Sequence, residues 1–244
     1  MKRILMFIPV HQKEDIFKVH LASLRDLIIP TWTTLDKLFV LHNCEELKDL
    51  LLPEERFQVV NDKVEYDVDG DTHIWKAKNL MYITNVKNQV AKLSVTEGYD
   101  YVFMVDSDLV LKPNTLLALL EADRDIVAEL FWTKWTPEAE ELPNVWDFDH
   151  YTFTEHPKDK YKENTVYKCG GTGACILIST EVYKAGVDYS PITNVSFWGE
   201  DRAFSIRAHV HGFTMYIDTH EEAFHIYRES DLERALEFYK ETRL

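Results

Sequence analysis

The chain has 244 residues, of which 45% are hydrophobic and 13% aromatic, so it can bury a full core and a disordered protein is excluded. A formal charge of −15 leaves little of the basic surface that nucleic-acid binding requires. Three cysteines are too few for a disulfide framework and favour the reducing cytoplasm. The sequence contains no apolar stretch long enough to span a membrane.

The first half of the chain alternates between patterns typical of strands and of helices. Continuous apolar runs predict strands at residues 4–10, 38–41, 57–60 and 101–105. Apolar residues at helical spacing predict helices over residues 14–29 and 76–97, the second of which Gly98 ends. This βαβα order predicts a mostly parallel sheet flanked by helices, with ligands bound beyond the carboxyl ends of the strands.

The second half contains fewer regular patterns. They predict a helix over residues 113–122, strands at 126–131, 174–178 and 215–218, and a helix that opens at Glu200-Asp201. Residues 133–168 are aromatic, acidic and proline-punctuated without a period, and predict a long ordered loop or small lid. Residues 170–173 predict a glycine-rich turn, and residues 231–244 an amphipathic helix that closes the domain or forms a partner surface.

Three motifs carry residues suited to chemistry. Asp106-Ser107-Asp108 follows a predicted strand, where two carboxylates can hold a divalent cation against a phosphate, although such a pair also caps ordinary turns. Glu200-Asp201 opens a helix, a position that favours acids in any protein and also suits a general base. His225 follows the strand at 215–218, where a histidine is either a hydrogen-bonded structural residue or a metal ligand.

In order and spacing, the segments IPVH, DSD, GTG, WGED and HIYR resemble those of GT-A fold glycosyltransferases, especially the family 2 type. The resemblance extends from residue 4 to about residue 232 and is weakest over 133–168. It implies a single GT-A domain, Rossmann-like, in which residues 1–108 bind the nucleotide-sugar and residues 109–244 bind the acceptor and carry catalysis. It also implies a donor of the UDP or GDP type.

The resemblance implies a role for each matching residue. Asp106, Asp108 and His225 would bind Mn2+ or Mg2+, and the mixed carboxylate and imidazole set suits Mn2+ somewhat better. Asp201 would deprotonate the acceptor hydroxyl while Glu200 helps to hold the acceptor. The implied donor and acceptor contacts are Pro9, Val10, His11, Asn43, Asp62, Lys87, Asn88, Ser107, Gly171, Thr172, Gly173 and Trp198.

Several alternatives remain open at this stage. The loop after the second strand reads HNCEE rather than the Asp-Gly-Ser type run frequent in the family, which leaves the nucleotide undefined. Retention of anomeric configuration competes with inversion. A metal-dependent nucleotidyltransferase could use the same acid pair, and a carbohydrate-binding module would explain the tryptophans Trp132, Trp135, Trp146 and Trp198. The acceptor could be a glycan, lipid, protein or small molecule, and the oligomeric state is unspecified.

Overall fold

A computed structural model describes residues 1–63, 67–69, 72–74, 77–136, 138–150, 153–196 and 199–243. Its centre is an eight-stranded sheet whose strands are, in chain order, β1 (Lys2–Val10), β2 (Thr33–His42), β3 (Arg56–Val60), β4 (Tyr101–Met104), β5 (Ile126–Glu129), β6 (Val166–Cys169), β7 (Ile176–Ser179) and β8 (Met215–Asp218). Their spatial order is β6-β8-β5-β7-β4-β1-β2-β3. Residues 67–69 and 72–74 form a separate antiparallel pair.

The sheet is mostly parallel, as the sequence predicts. Strands β3, β2, β1 and β4 are parallel neighbours, and β8 lies parallel to β5. Only β7 and β6 run antiparallel to their neighbours among these eight strands. The central strand β1 is buried from Ile4 to Ile8, because helices and loops cover both faces of a parallel sheet. The predicted single α/β domain is confirmed.

Within the described residues, six helices flank the sheet. They are α1 (Glu14–Arg25), α2 (Ala77–Thr96), α3 (Thr115–Glu121), α4 (Thr180–Lys184), α5 (Glu200–Val210) and α6 (Leu232–Glu241), with 3₁₀ turns at Glu45–Leu50 and Glu229–Asp231. The prediction that the first helix continues to residue 29 was wrong. Pro30 disfavours helical geometry at residue 29, and the backbone N–H of Ile28 instead donates to the Pro113 carbonyl.

The stretch predicted as a loop or lid contains short strand pairs. Trp132–Thr133 pairs with Leu142–Pro143, Val145–Trp146 with Gly171–Thr172, and Phe148–Asp149 with Thr154–Glu155. Strand β6, at the edge of the central sheet, was not predicted, and Gly171–Thr172 was predicted as a turn but forms a strand pair. Strands of two residues are too short to show a period in sequence, which is why the pattern did not reveal them.

The C-terminal helix closes the domain, one of its two predicted roles. Ala235 of α6 is fully buried in a small cluster with Ile16 and Val19 of α1. Just beyond the helix, Arg243 contacts Asp26 at 2.6 Å and donates to the Leu111 carbonyl. The hydrophobic face of α6 therefore packs on the body of the protein.

All three cysteines lie in the interior as free thiols. Cys44, Cys169 and Cys175 are each less than a tenth exposed. Burial is the main cause that raises the pKa of Cys44 to about 11 and that of Cys169 to about 12, and it raises the pKa of Cys175 well above its usual value. In the described part of the chain, no helix has the length and apolar character needed to cross a membrane.

Candidate functional site

A cleft of about 800 Å³ lies at the carboxyl ends of the parallel strands. This is the sheet edge at which α/β proteins bind ligands. The predicted site residues that line the cleft are Pro9, Val10, His11, Lys87, Asp106, Ser107, Asp108, Gly173, Glu200, Asp201 and His225. Trp198 lies outside the described residues.

Lys87 lies at the centre of a buried charge cluster in the cleft. Helix α2 places its Nζ 2.7 Å from Glu200 Oε1 and 2.7 Å from Asp201 Oδ1, at the start of α5. Burial alone would lower the pKa of Lys87, but the charges of Asp201, Glu200 and Asp106 outweigh it and raise that pKa. Lys87 is therefore a permanent cation that holds two acids from a distant part of the chain.

The Asp201 side chain is partly buried, and its second carboxylate oxygen, Oδ2, is closely packed. Burial is the largest influence on its pKa, which is raised to about 6, while the charge of Lys87 counteracts that effect. A Cβ atom on Gly173 would overlap Asp201 Oδ2, so only glycine admits the carboxylate at this position. Gly199, which precedes α5 with a φ of 140°, adopts backbone geometry that glycine tolerates best. Two glycines thus define where this carboxylate lies.

The two aspartates of the DSD motif have different surroundings. Burial, together with the neighbouring charges, raises the pKa of Asp106 to about 7, and the charge of Lys87 acts against this. Burial would also raise the pKa of Asp108, but His225 outweighs it and lowers that pKa. His225 Nε2 lies 3.5 Å from Asp108 Oδ2, because Phe224–His225 pairs with Leu109–Val110, directly after the motif.

Asp108 and His225 provide part of the ligand set that a divalent cation needs. Asp108 Oδ1 is buried and accepts no hydrogen bond from the described residues, so it is an oxygen that lacks a donor or cation. Asp108 and His225 are already adjacent. Across the described ranges, however, no three His, Cys, Asp or Glu side chains are arranged to bind a metal ion jointly. The predicted set of Asp106, Asp108 and His225 is therefore not assembled around one point in this structure.

The other end of the cleft, near β1 and β2, has an aromatic and imidazole wall. The ring of His42 stacks on that of Tyr82 with centroids 3.7 Å apart, and both line the cleft. His42 Nε2 lies 3.0 Å from Asp62 Oδ1, and His11 Nδ1 lies 2.8 Å from the His42 carbonyl. Sequence reasoning missed His42 and Tyr82 as site residues, although His42 stands at a polar strand end of the kind that marks such sites.

The other predicted residues that the structure describes, Asn43, Asp62, Asn88, Gly171 and Thr172, do not line the cleft. Asn43 accepts from the Asp62 backbone at 2.9 Å. Asn88 bonds the Tyr189 backbone and the Ser190 hydroxyl, so it links α2 to the segment before α5. Thr172 is buried and donates to the Asn144 carbonyl.

Arg202 was also missed, and it connects the helix of Asp201 to the strand pair Phe148–Asp149 with Thr154–Glu155, called the 148–155 hairpin below. Its Nε lies 2.8 and 2.7 Å from the two Asp149 oxygens, and another guanidinium nitrogen donates to the His150 carbonyl at 2.8 Å. Arg202 is only 8% exposed, and a buried bidentate pair of this kind fixes orientation. Arg202 could have been found from the sequence, because it directly follows the candidate acid Asp201.

The chain shares its fold with solved structures of S. aureus TarS. The TarS 1-349 structure aligns at a TM-score of 0.58 and 12% identity, covering 100% of this chain and 72% of that one. The complex of TarS 1-349 with UDP-GlcNAc aligns at 0.55 and 13%, covering 99% and 66%. The longer TarS structure aligns at 0.56 and 12%, and the chain spans 43% of it.

Sequence comparisons add no relative. No protein-family model matches the chain, and no curated protein sequence matches it. At 12–13% identity the structural likeness concerns the fold.

Proposed function

We propose that this protein transfers a sugar from a nucleotide-diphosphate donor to an acceptor hydroxyl. One observation carries the proposal: Lys87, Glu200, Asp201, Asp106 and Asp108, from three separate parts of the chain, line one cleft at the ligand-binding edge of the sheet. Residues 1–108 would supply most of the donor site and residues 109–244 the acceptor site. The fold shared with a protein that binds UDP-GlcNAc supports UDP-sugars as the first donors to test.

The proposal includes a metal ion held by Asp106, Asp108 and His225. Bound there, Mn2+ or Mg2+ would neutralise the diphosphate leaving group as a Lewis acid. The buried Asp108 Oδ1 without a hydrogen-bond donor supports this role, since a cation would satisfy it. The adjacent His225 is held in orientation by Thr133, whose hydroxyl lies 2.8 Å from His225 Nδ1.

Asp201 is the proposed base. A general base works best with a pKa near the working pH, and the value of about 6 approaches that range. Lys87 orients one oxygen at 2.7 Å, which leaves Oδ2, beside Gly173, as the oxygen for an acceptor proton. Attack from the Asp201 side, opposite the leaving diphosphate, would invert the anomeric configuration.

The nucleoside would occupy the wall formed by His42, Tyr82, His11 and Pro9. A purine or pyrimidine ring can pack against aromatic side chains of this kind. Lys87 contacts Glu200 and Asp201, each at 2.7 Å. Its positive charge would therefore be shared between these two acids and an incoming diphosphate.

Calorimetric titration with UDP, GDP, CMP and dTDP, each with and without Mn2+, tests the proposal. We expect one nucleotide to bind and to stabilise the fold only with metal present. Asp108→Ala should weaken that binding at least 10-fold, whereas Asp159→Ala, at a fully exposed acid, should leave it unchanged. Equal affinity in Asp108→Ala and wild type would contradict the metal assignment, and tighter binding of UTP than of UDP, titrated in the same way, would favour nucleotidyl transfer.

A further inference from the structure

The structure contains an aromatic ring next to the Asp201 carboxylate. Gly171, which pairs with Trp146 in a short strand pair, and Gly173 lie two residues apart in the chain. A Cβ on Gly171 would overlap the Trp146 ring, and a Cβ on Gly173 would overlap Asp201. The Trp146 ring and the Asp201 carboxylate therefore pack against two glycines of the same short segment.

A second aromatic side chain, Phe153, lies on the 148–155 hairpin and also lines the cleft. Its side chain is 56% exposed and stacks on the His150 ring at 4.4 Å. Arg202, the residue after Asp201, binds this hairpin through Asp149 and the His150 carbonyl. The hairpin and the base are therefore held in one fixed arrangement.

From this arrangement we propose that the acceptor is a carbohydrate whose ring stacks on Trp146, with Phe153 beside it, and whose hydroxyl faces Asp201. The inference rests on the proposed glycosyl transfer and names its acceptor class. A sugar ring has an apolar C–H face that packs on an aromatic ring and polar edges that need hydrogen-bond partners. The polar side chains of Thr154, His156 and Arg202 also line the cleft.

The composition of this wall argues against a lipid chain. An acyl chain buries apolar surface along its whole length, whereas polar or charged residues follow the aromatic rings here at short intervals. The Trp146 ring and the Asp201 carboxylate pack against glycines of one short segment, so a compact acceptor could contact both, and this favours a sugar over an extended peptide.

Saturation-transfer NMR with the methyl glycosides of glucose, galactose, mannose and N-acetylglucosamine tests the inference, with a serine-containing hexapeptide and octanol as competing probes. We expect at least one glycoside to bind wild type, and Phe153→Ala to weaken it roughly 3- to 10-fold. Trp146→Phe should weaken it less than Trp146→Leu, since the first keeps an aromatic face. Phe148→Ala is the matched control, because Phe148 belongs to the same hairpin and is 63% exposed but does not line the cleft.

Nucleotide binding measured on the same samples separates the two proposals. If the nucleotide binds but no glycoside does, or if Phe153→Ala and Phe148→Ala behave alike, the acceptor assignment is overturned and the glycosyl-transfer proposal stands. Preferential binding of the hexapeptide or octanol overturns it as well. If wild type binds no nucleotide at all, the proposed function itself fails.

Discussion

Two groups of buried acids in this protein differ in what surrounds them. In the cleft, Glu200 and Asp201 share the ammonium of Lys87. Behind the sheet edge, Glu129 at the end of β5 lies near Asp218 at the end of β8, and both are almost fully buried. Glu129 Oε2 accepts no hydrogen bond from the described residues.

The difference shows how an internal cation determines the charge of buried acids. Burial and the nearby charge of Asp218 raise the pKa of Glu129 well above its usual value, so this group is held largely in its neutral form. Lys87 counteracts the same effect at Asp201. Asp201, the proposed base, therefore has a cation beside it, whereas ionisation of Glu129 costs stability.

Removing the lysine should have the largest effect. Lys87→Met leaves the buried Glu200 and the partly exposed Asp201 without their counter-ion, and breaking a buried pair typically costs about 3 kcal/mol or more. We expect that loss in the free energy of unfolding measured by urea denaturation. Lys92→Met, at an exposed lysine on the same helix, is the control. Equal stability of the two variants would show that Lys87 does not support the cluster.

Neutralising the base should abolish most transfer with less effect on folding. Asp201→Asn keeps the shape of the side chain but accepts no proton, so we expect transfer to fall on the order of 100-fold or more. NMR that follows the conversion of a UDP-sugar donor into UDP and glycosylated product measures the rate of transfer and the anomeric configuration of the product. Nucleotide affinity should remain unchanged, and Glu181→Gln, at an exposed acid on α4, should retain full activity. Near wild-type turnover in Asp201→Asn would remove the assignment.

Displacing the base without changing its chemistry is a more delicate test. The added methyl group of Gly173→Ala overlaps Asp201 Oδ2 and must shift the carboxylate, which we expect to slow transfer roughly 10-fold. A double-mutant cycle with Asp201→Asn shows whether the loss acts through that residue. If it does, Gly173→Ala causes little further loss in the Asp201→Asn background. Fully additive losses would place the effect elsewhere.

The smallest effect concerns the acids that have no lysine. Glu129 has a folded-state pKa above its unfolded one, so its stabilising contribution is complete below the unfolded pKa and is lost as the pH rises through the folded pKa. Glu129→Gln cannot ionise and should therefore be more stable than wild type at pH 8, on the order of 1 kcal/mol. Urea denaturation at pH 5 and pH 8 measures this gain.

The gain of Glu129→Gln should shrink towards acid pH. Glu121→Gln, at an exposed glutamate at the end of α3, should show neither the gain nor its pH dependence. A gain of equal size at both pH values would mean that ionisation of Glu129 is not the cause.

The regular elements could be predicted from sequence because each is long enough to repeat its pattern. The strand ending before Asp106 and the helix carrying Lys87 are examples, and both approach their predicted bounds. The contact of Lys87 with Asp201 joins residues 114 positions apart and leaves no local pattern. For the same reason, the strand pairing of Trp146 with Gly171 and the contact of Arg202 with Asp149 were not predicted. Both depend on how distant segments of the chain meet.

The interior position of the three native thiols makes the protein suitable for site-specific labelling. With pKa values raised by burial, Cys44 and Cys169 present almost no thiolate at neutral pH, and thiolate is the form that maleimides attack. A single cysteine introduced on the surface of the 148–155 hairpin would then carry a fluorophore without removal of the native ones. Ligand binding beside that hairpin could then be followed in solution through the fluorophore, and slow modification of the native thiols would report opening of the core.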